Sequence, residues 1–427
     1  MRDYADIQGI VASGHLSHRA SLFCLLKFEN PAQLKALLGE IEINVAQGES
    51  ADAFVFNVAV TSVGLSFLGL TEKTICTFAP EFQLGMRNGV YADYIGDTGR
   101  DHPDQWSWSD QDSHVALFVY SKTTLDSLPV NLKAYQSFVV FELATNSQLN
   151  EPFGFRDGIS NPRPIPTATN AADVSLGEFV LGHADNNQNI ELAPYVSAEY
   201  DRKNFLSPAE AHYHSNGKFR NLGRNGSYLA IRQLAQHPKI FESYTDGVAA
   251  KTEWSPEQIS AKLIGREKNG TPLTPLTSGE LSFSPADSTG QYCPVGSHVR
   301  RAHPRDSLKP PPEASLASTE HHRILRRGRS FDDGKQKGIL FVCLQASISR
   351  QFEQVQKVWL RNTRFTLNGG ESDPLTAIDS DGGQFSIVRD GIAHRLPAVP
   401  KLSTVIGGGF FFLPSLSCVR FLENLPD

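Results

Sequence analysis

The 427-residue sequence holds only five cysteines: Cys24, Cys76, Cys293, Cys343 and Cys418. Their number is odd and their spacings are wide. No CxxC pair or zinc-type spacing occurs, which argues against a disulfide framework and against a structural metal of the usual kinds. Cys24 and Cys343 stand in apolar runs where buried thiols are common, and a reducing compartment fits. No run of ~18 apolar residues that could cross a bilayer is present, so no membrane partner is expected. The segment Met1-Arg2-Asp3-Tyr4-Ala5-Asp6 carries two acids and leads into no apolar stretch of the ~7–15 residues found in a secretory signal. We therefore expect a cytoplasmic protein. A basic stripe is also missing. Lys and Arg number 40 against 46 Asp and Glu, mixed along the chain for a net charge of -6, which argues against a nucleic-acid partner.

What is present is an ordinary globular composition. Charged residues make up 20% and hydrophobic residues 40%, enough for a core and not a mark of disorder. Short apolar runs read as strands over Ser21–Phe28, Ala53–Val60, His114–Ser121 and Ser137–Ala144. A helix is predicted over Pro31–Gln47 from the spacing of Leu34, Leu37, Leu38 and Ile41. Strand–helix–strand, twice over, is the order of a ferredoxin-like unit. The second half repeats that grammar. Strands are predicted at Ser227–Leu234, Gly338–Gln345 and Gly408–Leu413, with helices near Lys239–Lys251, Ser255–Glu267 and Arg350–Leu360. The stretch Pro162–Arg224 is rich in Pro, Asn, Asp and Ser and reads as a long excursion. A second irregular loop runs through Lys309-Pro310-Pro311-Pro312, where successive prolines oppose helix. We expect an N-terminal domain over 1–162, a connecting stretch over 163–224 and a C-terminal domain over 225–427.

Three segments carry candidate chemistry. In Gly154-Phe155-Arg156-Asp157-Gly158-Ile159-Ser160-Asn161-Pro162, two glycines flank Asp157 and permit positive φ and close backbone approach to a flat ligand. Taken alone, the segment is equally an Asp-Gly turn. Cys293-Pro294-Val295-Gly296-Ser297-His298-Val299-Arg300-Arg301-Ala302-His303-Pro304-Arg305 sets two histidines around arginines. A neutral imidazole is a common haem ligand, and arginines suit propionates. Either histidine alone is more readily a structural or surface residue than a ligand. In Arg323-Ile324-Leu325-Arg326-Arg327-Gly328, a permanently charged arginine suits charge building on a leaving oxygen. The bland alternative for this cluster, which Arg329 extends, is a solvated basic face.

Together these segments resemble the dye-decolorising peroxidase superfamily, in which GxxDG, CPxxxH-[IV]-R and an RRG stretch follow in that order. Asp6-Ile7-Gln8-Gly9, Gly177–Gly182, Asn225–Leu229, Gln351-Phe352-Glu353 and Gly407–Pro414 extend the resemblance over most of the chain. It implies an α+β fold of two ferredoxin-like domains with antiparallel sheets and haem b in the C-terminal one. It implies oxidation of dyes, phenols or similar organic reductants by hydrogen peroxide, through a ferryl intermediate. By the same resemblance Asp157 and Arg326 are the distal catalytic pair and His298 is the axial ligand. Gly158, Ile159, Ser160, His303, Pro304 and Arg305 then line the haem edge. His303 stands where the family often has asparagine, which makes it the competing ligand. Glu353 is the candidate carboxylate behind the proximal imidazole. On the Gly338–Gln345 strand, Ile339 and Phe341 share a face that either roofs the haem or packs in the core. Trp359 reads as core, whereas Trp106 and Trp108 lie in a polar loop that suggests exposure. Monomer and homo-oligomer both stay open. The competing function is a haem-binding or haem-handling protein with incidental peroxidase activity; retention of both Asp157 and Arg326 argues against it.

Overall fold

The structure is a computed structural model that describes residues 3–46, 50–125, 127–147, 150–165, 173–209, 217–275, 282–365, 369–379 and 381–426. The N-terminal half contributes β1 (Ala20–Leu26), β2 (Phe54–Val60), β3 (Val115–Ser121) and β4 (Val139–Asn146). The C-terminal half contributes β5 (Ser227–Gln236), β6 (Leu325–Arg326), β7 (Arg329–Asp332), β8 (Lys337–Gln345) and β9 (Ser403–Leu413). In the first half β4, β1, β3 and β2 lie side by side. In the second, β6 and β7 share one edge of β8, which is followed by β5 and β9. Each half therefore has the strand order of a ferredoxin-like unit, and all these pairings are antiparallel.

The halves meet at both edges. Ser330 of β7 pairs with Asn146 of β4, and Phe412 of β9 pairs with Val60 of β2. The nine strands thus close into a ring. Phe23, Phe118, Leu229, Ile231, Leu340 and Phe411 fill its interior from both halves. Complete burial of such side chains contributes ~1.5–3 kcal/mol each. The outer face carries a second core, in which Leu22, Cys24 and Phe410 meet helices α1 (Pro31–Glu40), α5 (Ile348–Leu360, wound as a π-helix) and α6 (Leu416–Glu423). A third core lies under α2 (Pro238–Ala249) and α3 (Pro256–Ile264), where Phe241, Ile259 and Leu263 pack on Phe153 and Phe155.

Several expectations need correction. Helix α1 ends at Glu40, not near Gln47. Beyond it Ile41, Ile43 and Val45 alternate β-branched residues, which favour extended backbone; Ile43 bridges to Phe56 and Val45 to Gln8. Strands β6 and β7 were not expected, because their segment is dominated by arginine. The excursion over 163–224 is not merely peripheral: Val174, Leu176, Phe179 and Val180 are buried in the ring's core. The proline run stops at Pro312, which opens a helix over Pro312–Thr319, the position where proline is tolerated. Trp106 and Trp108 are buried, at 7% and 2% exposure, and their indole N–H groups donate to the Asp101 carbonyl and the Gln233 side chain. Trp359 is in the core as expected. Among the described residues no helix is long and apolar enough to cross a membrane.

Candidate active site

The loop after β4 is built from its glycines and one carboxylate. Gly154 and Gly158 have φ of 92° and 75°, a region that side chains with a Cβ rarely enter. Phe153 and Phe155 anchor the loop in the third core, and their backbone N–H groups donate to Glu151 at 3.0 and 2.9 Å. Burial raises the Glu151 pKa against the pull of those bonds. Asp157 is left exposed at the loop's tip. Its Oδ1 accepts from the Gly158 N–H at 2.6 Å. Gly158 and Ile159 are also exposed, and the Ser160 hydroxyl accepts from Arg266 at 2.8 Å.

Arg326 reaches the same place from β6. Its backbone N–H donates to Asn161 Oδ1 at 3.2 Å, which ties the aspartate loop to the arginine strand. It lies opposite Cys343, and directly opposed residues share a sheet face. Period-two alternation then puts Phe341 and Ile339 on that face with it. Both are only partly buried, whereas Leu340, Val342 and Leu344 on the other face are fully buried. The basic cluster around Arg326 is not a solvated face. Arg327 and Arg329 point into the ring and bind backbone carbonyls, while Arg323 pairs with Glu320 at 2.8 Å.

His298 opens the short helix α4 (His298–Ala302). Its Nδ1 lies 2.8 Å from Oδ2 of the fully buried Asp373. Oδ1 of that carboxylate accepts from the N–H groups of Leu375 and Thr376 and from the Thr376 hydroxyl. Burial alone would raise the Asp373 pKa, but His298, Arg301 and the Thr376 N–H together hold it below the usual carboxylate value. A carboxylate beside Nδ1 fixes the proton there and leaves Nε2 with its lone pair, the form of imidazole that binds a metal. Glu353 does not fill this place. It lies on α5, where burial and Glu81 raise its pKa. The signal for Asp373 was the Asp373-Pro374-Leu375-Thr376 string, whose aspartate caps the backbone two and three residues on.

His303 is held differently. Burial, together with Arg305 and Arg323, lowers its pKa to about 4, and its Nε2 lies 3.4 Å from Glu320. Burial opposes the Glu320 charge, yet His303 and Arg323 pull that carboxyl down to about 2. Arg300 and Arg301, the arginines between the two histidines, are buried and do not line an open edge. Arg300 donates to the carbonyls of Asp287 and Cys293, and Arg301 to those of Leu360, Asn362 and Glu371. Pro304 is buried, and Arg305 follows it at φ 53°. Arg305 is electrostatically coupled to Arg266 and Arg323, and Arg266 to Arg326. A cationic edge therefore runs from the Ser160 loop to the His303 loop. Arg266 was not singled out in the sequence, since α3 and its surroundings carry no motif.

The residues fit a haem. One imidazole presents a lone pair, β8 offers a partly exposed apolar face on the side of Arg326, and Arg266 and Arg305 supply cations that suit propionate carboxylates. The described family "Dyp-type peroxidase, C-terminal" matches residues 220–368. The chain is 25% identical to dye-decolorizing peroxidase msp1 of Mycetinis scorodonius, over 97% of this chain and 86% of that one. It resembles the crystal structure of a DyP-type peroxidase from Anabaena with a TM-score of 0.75 and 20% identity, covering 99% of this chain and 95% of the other. A dye-decolorizing peroxidase in complex with 2,6-dimethoxyphenol superposes with a TM-score of 0.74 at 19% identity, over 98% and 99% of the two chains.

Proposed function

The chain belongs to the dye-decolorising peroxidase superfamily and is a haem peroxidase, and from that premise we propose that His298 is its axial ligand and that Asp157 and Arg326 cleave hydrogen peroxide. The observation that carries this reading is the His298–Asp373 contact, which sets the imidazole tautomer for iron. Bound haem supplies an iron centre that takes up the oxidising equivalents of hydrogen peroxide and passes them to an organic reductant.

The protein's groups divide the remaining work. Asp157 Oδ2 takes a proton from the inner peroxide oxygen and returns it to the outer one. Arg326, charged at any physiological pH, stabilises the negative charge that builds on the departing oxygen. Asn161 holds the Arg326 backbone in reach of the Asp157 loop. Asp373 keeps the proton on His298 Nδ1 and raises the basicity of Nε2. Arg266 and Arg305 would pair with the propionates. Ile339 and Phe341 would cover the ring face and limit water.

Haem b, held without a covalent link, is the cofactor proposed. The nearby Cys293 thiol is buried against Ser297 and the Gly265 carbonyl, so it does not attach a vinyl group. A phenol such as 2,6-dimethoxyphenol, or a dye, is the proposed reductant. Cytoplasmic residence is the proposed location, supported by five cysteines that are all free thiols. Fractionation of cells making the chain should recover it from the cytosol; recovery from a membrane or periplasmic fraction refutes this. Hemin added to the purified apoprotein should give a Soret band with one equivalent, acid–acetone should extract it, and the loaded protein should turn over 2,6-dimethoxyphenol only with hydrogen peroxide. No turnover by a fully loaded protein would overturn the assignment.

A further inference from the structure

Neighbouring residues on a strand point to opposite faces, so the two arginines Arg326 and Arg327 separate. Arg326 serves the candidate site outside the ring, whereas Arg327 and Arg329 turn into its interior near one end. There they meet an unusual environment. Arg327 donates to the carbonyls of Ile10, Arg326 and Val11. Arg329 donates to those of His18, Gly14 and His15 and to the Ser21 hydroxyl, and lies 4.5 Å above the Tyr120 ring. Among the described residues, no carboxylate pairs with either guanidinium. A buried charge and a half-buried one without a counter-charge are costly, and natural interiors nearly always neutralise them.

The polar groups around them are also incompletely used. Arg329 Nε is buried with no partner, and neither ring nitrogen of His15 has one. His15 is only 1% exposed and its ring packs 4.9 Å from Tyr120. Burial lowers the pKa of Arg327 to about 10, helped by the charge of Arg326, and burial lowers that of Arg329, with Tyr120 opposing both shifts. Beside the two arginines is a cavity of about 250 Å³ counting its open mouth, walled by Tyr120, Arg327 and Arg329 together with the apolar Phe23, Phe118 and Leu340. Its inner space admits about one water-sized group.

We propose that this cavity is a binding site for one small monovalent anion of chloride size, held by Arg327 and Arg329 against Tyr120. The anion supplies the missing counter-charge and accepts from Arg329 Nε and from the spare N–H groups of Arg327. A larger oxyanion or an organic carboxylate does not fit the space. Because Arg327 also donates to the Arg326 carbonyl, the occupied site braces the strand that carries Arg326 from behind.

The test uses the haem-loaded protein and bromide as the probe. Sodium gluconate, whose anion is too large to enter, is replaced by sodium bromide at constant ionic strength while thermal unfolding is followed. The midpoint should rise saturably with bromide, with no change in the Soret band, which separates this site from the iron. Crystals grown in bromide should show an anomalous peak within hydrogen-bond reach of Arg329 Nε. Arg327→Gln and Arg329→Gln should each weaken the apparent affinity at least about tenfold, as expected for a lost charge-assisted hydrogen bond. Should Arg329→Gln not fold, Arg327→Gln alone decides. The proposal is overturned by an absent or non-saturating shift, by an equal shift in Arg327→Gln, or by anomalous peaks confined to the surface, which would mean an adventitious ion only.

Discussion

Replacing Asp373 by asparagine tests the proximal side of the site with little change in shape. In the folded chain Oδ1 of Asp373 accepts three bonds, from Leu375 N–H, Thr376 N–H and the Thr376 hydroxyl, while Oδ2 faces His298 Nδ1 at 2.8 Å. An asparagine keeps the first three with its carbonyl and turns its NH2 toward the imidazole. Two donors then face each other, and the imidazole relieves this by moving its proton to Nε2, the nitrogen that iron requires. The lost interaction is a charge-assisted hydrogen bond, worth ~1.5–3 kcal/mol. That corresponds to haem bound ~10–100-fold more weakly, the range typical of partners that orient a metal ligand. Haem transfer to excess apomyoglobin measures the affinity, and a spectroelectrochemical titration should give a higher iron reduction potential because the ligand is less basic. The thermal midpoint of the haem-free variant controls for folding. If haem affinity and potential both match the parent protein, Asp373 does not set the tautomer and the argument for His298 loses its main support.

His298→Ala should lose haem or show the spectrum of a replacement ligand, whereas His303→Ala should retain a normal Soret band; the reverse pattern would exchange the two roles. Asp157→Ala and Arg326→Leu should keep full haem content yet slow the first Soret change after stopped-flow mixing with hydrogen peroxide by at least about tenfold, a floor beneath the ~10²–10⁴ typical of proton transfer and the ~10²–10³ of a lost charge-stabilising donor. A parent-like rate in either variant removes that residue from peroxide cleavage. In the haem-free protein, His15 and His303 have folded pKa values of about 3 and about 4, below the ordinary 6.5. The unfolded chain therefore binds more protons in that interval. Their contribution to stability is complete above pH 6.5 and falls as the pH drops, by up to ~1.4 kcal/mol per unit for each. His15→Asn, which accepts the positive φ at that position, should remove roughly half of this slope in urea unfolding series between pH 6 and 4.5; an unchanged slope would show that His15 is not buried neutral.

The parts of the molecule that announced themselves were those encoded locally. Apolar runs such as Ser21–Phe28 and Gly338–Gln345 located strands, and Gly154 and Gly158 stand where positive φ was anticipated. What stayed hidden depends on distant partners. The composition Ser107-Trp108-Ser109-Asp110 gives no hint that Trp108 is buried against Gln233. Arg323–Arg329 reads as a surface patch because nothing nearby reveals that backbone carbonyls from residues 10–18 accept from Arg327 and Arg329. Asp373 lies 75 residues from the imidazole it orients, beyond the reach of any spacing rule.

Ring closure gives the two halves a duty toward each other that neither could discharge by itself. Cut between them, the first half would bare the outer edges of β4 and β2, and the second those of β7 and β9. Such rows of unpaired N–H and C=O groups recruit foreign strands. Each half is thus the sheath of its sibling's adhesive margins. Among the described residues the sheath is fastened by one strand-paired residue on each side, Asn146 with Ser330 and Val60 with Phe412. Insertions near those two clasps would be tolerated poorly, and a truncated product of this chain would be sticky before it was inactive.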